Sequence, residues 1–286
     1  MIIEYKTLDL FGKMVFERVI LKPPFRKANP LPDEACMLYV IEGKYRSFSE
    51  TEQLQVSRKE AVLMQCGNYL GQMLGSDASP YYEAVAVHFY PEVLKKIYEN
   101  DLPGFLKRPL AQSNRAMAKL QGDALLQNYI DSILFLFTNP ELATEDLLIV
   151  KVKELILLLV NSKHAAKVHQ ILANLFTPQA VSFREIVHAH LFAPLTTKEL
   201  AQLTNQSLSS FKREFRKIFN ASPSEYIKAK RMQKAAELLA LTDQSITEIA
   251  YDCGFNDSAY FSAAFKAHYA LSPSRYRLNQ KNKNLS

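Results

Sequence analysis

The sequence predicts an α+β protein: strands first, helices after, and a closing all-α domain of two helix-turn-helix units joined by a long helix. Three observations carry this. Short apolar runs punctuated by Gly and Pro fill the first hundred or so residues, as β-strands do. From about Met117 the apolar spacing becomes helical. A stretch beginning at Ser207 is then repeated about fifty residues later.

Taken in order, "CMLYVIEGKYRSF" (from Cys36) reads as two strands alternating apolar and polar residues around a turn at Glu42 and Gly43. "EAVLMQCGNYL" gives another apolar run ending near Gly67, and "YYEAVAVHFY" alternates again. Such strands suggest a small barrel or sandwich. "GNYLGQMLG" has three spaced glycines without dinucleotide-fingerprint spacing, and reads as turns and strand ends. "PEVLKKIYEND" is the first helix, with Pro91 in its first turn. "DALLQNYIDSILFLF" and "TEDLLIVKVKELILLLVNS" are amphipathic helices with wide apolar faces, the second started by Thr144 and Glu145. Beyond Pro178, helices are expected over Phe183–Leu191, Thr197–Leu203, Ser207–Phe219, Pro223–Leu241, Ile246–Cys253, Asp257–Tyr269 and Pro273–Arg277. Each Ser-Pro is an N-cap followed by a proline whose missing N–H costs nothing. The domains are set at 1–110, 111–178 and 179–286.

Composition excludes some classes. With 48% hydrophobic and 22% charged residues the chain can bury a core. Its longest apolar run, Leu155–Val160, is too short for a bilayer. The N-terminus has an early acid and no basic region before an apolar stretch, which argues against a signal peptide. Three widely spaced cysteines, Cys36, Cys66 and Cys253, fit reduced thiols in a cytoplasmic protein. No metal or other cofactor is expected, because His88, His164, His169, His188, His190 and His268 are not clustered with acids. From Val181 onward there are 15 Lys+Arg against 9 Asp+Glu, whereas the first 180 residues balance at 20 and 20. The basic excess thus coincides with the repeat, as expected for a polyanion-binding surface.

In the repeat, Phe211, Phe215 and Phe219 register on Phe261, Phe265 and Tyr269, followed by Ser222-Pro223-x-x-Tyr226 on Ser272-Pro273-x-x-Tyr276. "KELA" at 198–201 matches "TEIA" at 247–250, with one extra residue in the second turn. Aromatics four apart bury one face of the longer helix. Its N-terminal residues are left to enter a major groove.

The pieces "ELAQLTNQSLSSFKREFRKIFNASPSEYI", "KRMQKAAELLALTDQSITEIAYDCGF" and "YFSAAFKAHYALSPSRYR" resemble the DNA-binding domain of AraC/XylS-type transcriptional regulators. The resemblance spans about Leu195 to Arg277. It implies binding to double-stranded promoter DNA, with one unit in each of two consecutive major grooves about 34 Å apart. It also implies RNA polymerase as a partner, activation as the outcome, and no enzymatic activity. DNA contacts then fall to Ser207, Ser209, Ser210, Lys212, Arg213, Arg216 and Lys217 in the first unit. The second offers Asn256, Ser258, Ala259, Ser262 and Lys266, and Lys230 of the bridging helix lies beside the docking surface. Three positions depart from the family pattern: Asn220 and Ala270 replace a glycine after the recognition helices, and Ala263 replaces a basic residue. Ala270 should cost about 1 kcal/mol or end its helix differently.

The front half resembles the cupin-like barrel and dimerisation helices of the same family. "CMLYVIEGKY" and "EAVLMQCGNYL" resemble the ExsA-type activators, which answer to partner proteins. This implies a homodimer and an effector, either a small molecule or a protein, with no membrane contact. Two other readings stay open. One is a DNA alkyl-repair regulator, which needs four clustered cysteines; the other is a protein-interaction module built on the same helical domain.

Overall fold

The structure, a computed structural model, describes residues 1–31, 34–76, 79–99, 102–107, 116–175 and 182–283. It divides into an N-terminal unit, Met1–Val181, and a C-terminal unit, Ser182–Ser286. The expected domain boundaries at 110/111 and 178/179 lie outside the described residues.

The N-terminal unit opens with nine strands: β1 (Ile2–Leu10), β2 (Lys13–Leu21), β3 (Phe25–Leu31), β4 (Ala35–Glu42), β5 (Lys44–Phe48), β6 (Gln53–Ser57), β7 (Glu60–Met64), β8 (Gly67–Leu74) and β9 (Tyr82–Phe89). Helices α1 (Pro91–Ile97) and α2 (Gly104–Lys107), strand β10 (Met117–Gln121), and helices α3 (Ala124–Thr138), α4 (Glu145–Val160) and α5 (Ala165–Asn174) follow. The strands form two antiparallel sheets, ordered β1-β2-β9-β4-β7-β10 and β3-β8-β5-β6.

One apolar cluster joins the two sheets, with Leu38, Val62 and Ala84 meeting Leu31, Val56 and Tyr69. A second cluster packs the other face of the larger sheet, through Met37, Leu63, Val85 and Val87, under Leu126, Ile133, Val152 and Ile156 of α3 and α4. The central strands are therefore covered on both faces. This explains why "ACMLYV" of β4 is a continuous apolar run (all six buried) rather than the alternating strand expected.

The turn expected at Glu42 and Gly43 is present, and it joins the two sheets: β4 belongs to the larger sheet and β5 to the smaller. Gly43 turns the chain between sheets at φ +88, where a Cβ would stand 2.6 Å from the Leu74 carbonyl oxygen. One further expectation needs correction: Met117 does not begin the helices. Met117–Gln121 is an edge strand paired with β7, from Met117 opposite Met64 to Gln121 opposite Glu60, so sheet pairing overrides the local pattern. "GNYLGQML" is likewise strand β8 itself, and Gly71 leaves the space that the Tyr45 ring fills.

Helix starts follow the sequence closely. Pro91 opens α1. Asp123 caps α3 by accepting from Leu126 N, and Thr144 caps α4 by accepting from Leu147 N; such caps contribute about 1 kcal/mol each.

His88 of β9 lies buried facing Glu34, whose carboxylate is 2.7 Å from Nδ1, and Glu17, 3.9 Å from Nε2. Burial opposes a charged ring, but the two carboxylates outweigh it and lift His88 from 6.5 to about 9. Because the folded value lies above the unfolded one, its stabilisation is complete below pH 6.5 and is lost as pH rises through about 9. The amount is on the order of 3 kcal/mol. The urea midpoint of the full chain is expected to fall between pH 7 and 10, and this fall should vanish in His88→Gln. An unchanged profile in that variant would refute the assignment.

The C-terminal unit is all helical: α6 (Phe183–Ala189), α7 (Thr197–Leu203), α8 (Leu208–Phe219), α9 (Pro223–Leu241), α10 (Ile246–Asp252), α11 (Ser258–Tyr269) and α12 (Pro273–Lys283). Capping boxes at Ser182/Glu185, Thr196/Glu199, Ser222/Glu225 and Ser245/Glu248 start α6, α7, α9 and α10. Only α12 departs much from expectation, running on to Lys283.

Candidate nucleic-acid interface

Each half of the C-terminal unit is a short helix, a turn and a longer helix: α7–α8, then α10–α11. In α8, Phe211 and Phe215 are fully buried and Phe219 partly so. Phe183 of α6 completes their cluster at ring distances of 5.2, 6.2 and 6.5 Å. In α11, Phe261 and Phe265 are fully buried and Tyr269 partly so, with Phe255 of the turn 5.2 Å from Phe261. Burying these faces turns the opposite faces to solvent.

On α8 this exposes Ser209, Lys212, Arg213, Arg216 and Lys217, while Ser210 is half-buried. Ser207 is exposed too, but its hydroxyl is engaged: it caps α8 by accepting from Ser210 N at 3.2 Å. On α11, Asn256, Ala259, Ala263 and Lys266 are exposed. Ser258 and Ser262 are half-buried, and Ser262 Oγ donates to the Ser258 carbonyl at 2.9 Å. Lys230 stands apart from the leading ends of both helices. Its ammonium lies 5.7 Å from the Tyr226 ring, which packs on Phe215 and Phe219 toward the C-terminal end of α8.

The halves share a backbone but differ in charge. Residues 196–222 carry five basic and two acidic side chains; residues 245–272 carry one and three. The caps differ likewise: neutral Ser207 starts α8, whereas the Asp257 carboxylate starts α11 by accepting from Tyr260 N. Tyr260, 64% exposed, is the large side chain on the first turn of α11.

Both recognition helices end left-handed, Asn220 at φ 53 and Ala270 at φ 59. Of the two outcomes expected for Ala270, the structure has the strained one. Asn adopts this conformation at lower cost than Ala.

Sequence reasoning missed the residue that ties the halves together. Arg231, midway along α9, donates from Nε to the Leu191 carbonyl (2.8 Å), from one terminal nitrogen to Gly254 (2.8 Å) and from the other to Ala193 (2.6 Å). Leu191 and Ala193 precede the first half, and Gly254 is the turn of the second. The guanidinium lies 5.8 Å from the Phe255 ring centroid, and burial pulls its pKa below the ordinary value. Gly254 admits no side chain, since at φ +79 a Cβ would sit 2.5 Å from the Phe192 carbonyl oxygen. A lone Arg inside "KAKRMQKAAE" looks like any solvated helix cation; its partners lie 23 to 40 residues away.

Cys36 and Cys253 are buried and Cys66 half-buried. Among the described residues no group of three or more His, Cys, Asp or Glu could hold a metal ion. Among the described residues no helix is long and apolar enough to cross a membrane.

Comparison with known proteins agrees with this geometry. Residues 200–279 match the family described as "Helix-turn-helix domain", and residues 35–171 the "ExsA N-terminal regulatory domain". The chain is 36% identical over 107 residues to the HTH-type transcriptional regulator CdhR of Pseudomonas aeruginosa, covering 35% of this chain and 32% of that protein. It is 34% identical over 88 residues to the HTH-type transcriptional activator RhaS of an Enterobacter species, covering 31% and 32%. The chain thus spans about a third of the length of these curated relatives. Among solved structures, the C-terminal domain of the response regulator yesN of Fusobacterium nucleatum is 31% identical, covering 33% of this chain and 93% of that one, with a TM-score of 0.32. ToxT of Vibrio cholerae is 16% identical, covering 93% and 98%, with a TM-score of 0.40. The chain thus carries an AraC-type helix-turn-helix domain behind an ExsA-type N-terminal regulatory domain, and the relatives it resembles are transcriptional regulators of the AraC family.

Proposed function

We propose that this protein is a sequence-specific activator that docks α8 and α11 in successive major grooves of promoter DNA. The observation that carries this reading is the exposed row Lys212, Arg213, Arg216 and Lys217 on a helix whose other face is locked by buried phenylalanines. Lys212 and Arg213 reach base edges or phosphates. Ser207, Ser209 and Ser210 surround the leading end of α8. Asn256, Ser258, Ala259, Ser262 and Lys266 serve the second half, with Lys230 on adjoining backbone. RNA polymerase is the proposed downstream partner.

The halves read DNA unequally. Arg213 and Ala263 occupy equivalent positions. Arginine pairs bidentately with guanine and discriminates by about 1–3 kcal/mol, whereas alanine only touches a thymine methyl. The first half therefore supplies most base specificity, and the second works through shape, its helix terminus and few charges. Arg213→Ala is expected to cost about 1–3 kcal/mol and to relax preference in one half of the site. A base-by-base substitution scan of a site selected from random DNA tests this. Equal penalties in both halves would overturn the asymmetry, and no sequence preference at all would overturn the function.

Residues 1–110 are proposed as the regulatory barrel and 111–178 as the dimerisation region. The support for dimerisation is exposed apolar surface on and between α3 and α4, where Phe135 is 55% and Leu142 46% exposed; such surface marks interaction sites. Sedimentation at micromolar concentration should show a dimer, and Phe135→Glu with Leu142→Glu should give a monomer. A monomeric wild type would end this reading.

A further inference from the structure

We infer that Gln206, in the turn before α8, is a positioning residue for DNA docking: it holds Glu214, the one acid of α8, away from the cation row on the same helix. This role rests on the docking proposed above and deepens it, because it adds a residue that acts without touching DNA.

Glu214 stands inside the row, with Lys212 and Arg213 before it and Arg216 and Lys217 after it. Side chains three or four apart on a helix are neighbours. An unrestrained Glu214 would therefore pair with Lys217 and withdraw one cation from the surface. Its carboxylate instead accepts from Gln206 Nε2. Among the described residues, Lys212, Arg213, Arg216 and Lys217 form no ion pair.

The turn aims Gln206 at this carboxylate. Its backbone N–H donates to the Ala201 carbonyl at 2.9 Å, and Asn205 before it is left-handed at φ 52. Gln206 and Glu214 are both half-buried. Turning the amide over would set Oε1 against the carboxylate, acceptor against acceptor. In the orientation observed, Gln206 Oε1 is buried without a hydrogen-bond partner among the described residues. An apolar side chain here would leave no oxygen unsatisfied and would cost the fold less. What accounts for the glutamine is the acid that its Nε2 holds.

The second half supplies the contrast. Register places buried Ala264 at the position of Glu214. Helix α11 has Lys266 as its only lysine or arginine, so it carries neither an acid to restrain nor a row to keep open. The restraint is found in the half that carries the charge. Glu199 and Glu225, the acids on either side of Glu214 in sequence, are engaged by the capping boxes of Thr196 and Ser222.

The test is a salt series of the full chain on its selected DNA site, followed by fluorescence anisotropy. Gln206→Met releases Glu214. It is expected to weaken binding at low salt and to shrink the loss of affinity between 50 and 200 mM by about threefold, the share of one phosphate contact. Gln206→Glu keeps the shape but repels Glu214, and should act in the same direction. Gln206→Glu combined with Glu214→Gln re-forms the hydrogen bond with donor and acceptor exchanged, and should recover most of the wild-type salt response. Gln206→Met combined with Glu214→Gln should recover it too, since no carboxylate is left to release. A side chain that merely braced the turn would lose affinity equally whether Glu214 is kept or changed to Gln, at an unchanged salt slope; that result would overturn the inference. So would a steep wild-type series that Gln206→Met leaves unmoved. A flat series in the wild type would instead sink the docking itself.

Discussion

Between 50 and 200 mM salt, the affinity of the full chain for its selected DNA site is expected to fall by a factor on the order of 10³. Each cation that neutralises a phosphate releases a counterion, so the slope of affinity against salt counts the charges engaged. The proposed surface offers Lys212, Arg213, Arg216, Lys217 and Lys230 around α8, and one cation, Lys266, on α11. The slope should therefore drop by about two when Lys212 and Lys217 are both changed to Ala, and by one at most for Lys266→Ala. Fluorescence anisotropy over a salt series measures all three. A flat dependence in the wild type would exclude groove docking, and a larger effect from Lys266 than from the pair would place the main contact in the wrong half.

Replacing Arg231 with Met is expected to destabilise the C-terminal unit by about 3–5 kcal/mol. A half-buried guanidinium there satisfies three backbone carbonyls. Hydrogen bonds to charged groups contribute about 1.5–3 kcal/mol each, and acceptors left unsatisfied add to the loss. Met fills similar volume, so the loss reports the polar contacts rather than a cavity. Lys cannot reach three divergent carbonyls from one point charge, and Arg231→Lys should keep less than half of the stabilisation. Urea unfolding followed by far-UV circular dichroism gives the stability. DNA with one half-site against DNA with both gives the coupling: wild type gains strongly from the second half-site, and Arg231→Met should gain much less. An undiminished gain would mean that α9 alone fixes the two halves.

What could be read from the sequence was local. Thr144 placed the start of α4 and the two Ser-Pro pairs the starts of α9 and α12, because a cap and the N–H it accepts from lie three residues apart; helical apolar spacing placed α3 and the other C-terminal helices. The phenylalanine spacing showed which face of α8 and α11 is buried, and so which residues look outward. What could not be read was distant. Met117–Gln121 pairs with a strand more than fifty residues earlier, and nothing in "MAKLQ" marks it as an edge. The split at Gly43 depends on which sheet each flanking strand joins. His88 and Glu34 meet across 54 residues. Arg231 has no neighbour in sequence that hints at its carbonyls. Even so, the charge difference between the halves was already countable from the repeat, since both copies have the same register.

The Arg231 clamp also bears on how target sites can change. On the proposed docking, a rigid join fixes the angular phase between two grooves as well as their separation. One inserted base pair moves the second groove about 3.4 Å along the axis and about a tenth of a turn around it, and the clamp leaves no slack to follow. A changed letter in the second half, by contrast, meets a helix whose leading end offers Tyr260 but no arginine or lysine, and loses little. For this protein, promoters are thus free to drift in spelling on one side while remaining intolerant of insertions and deletions between the two sides.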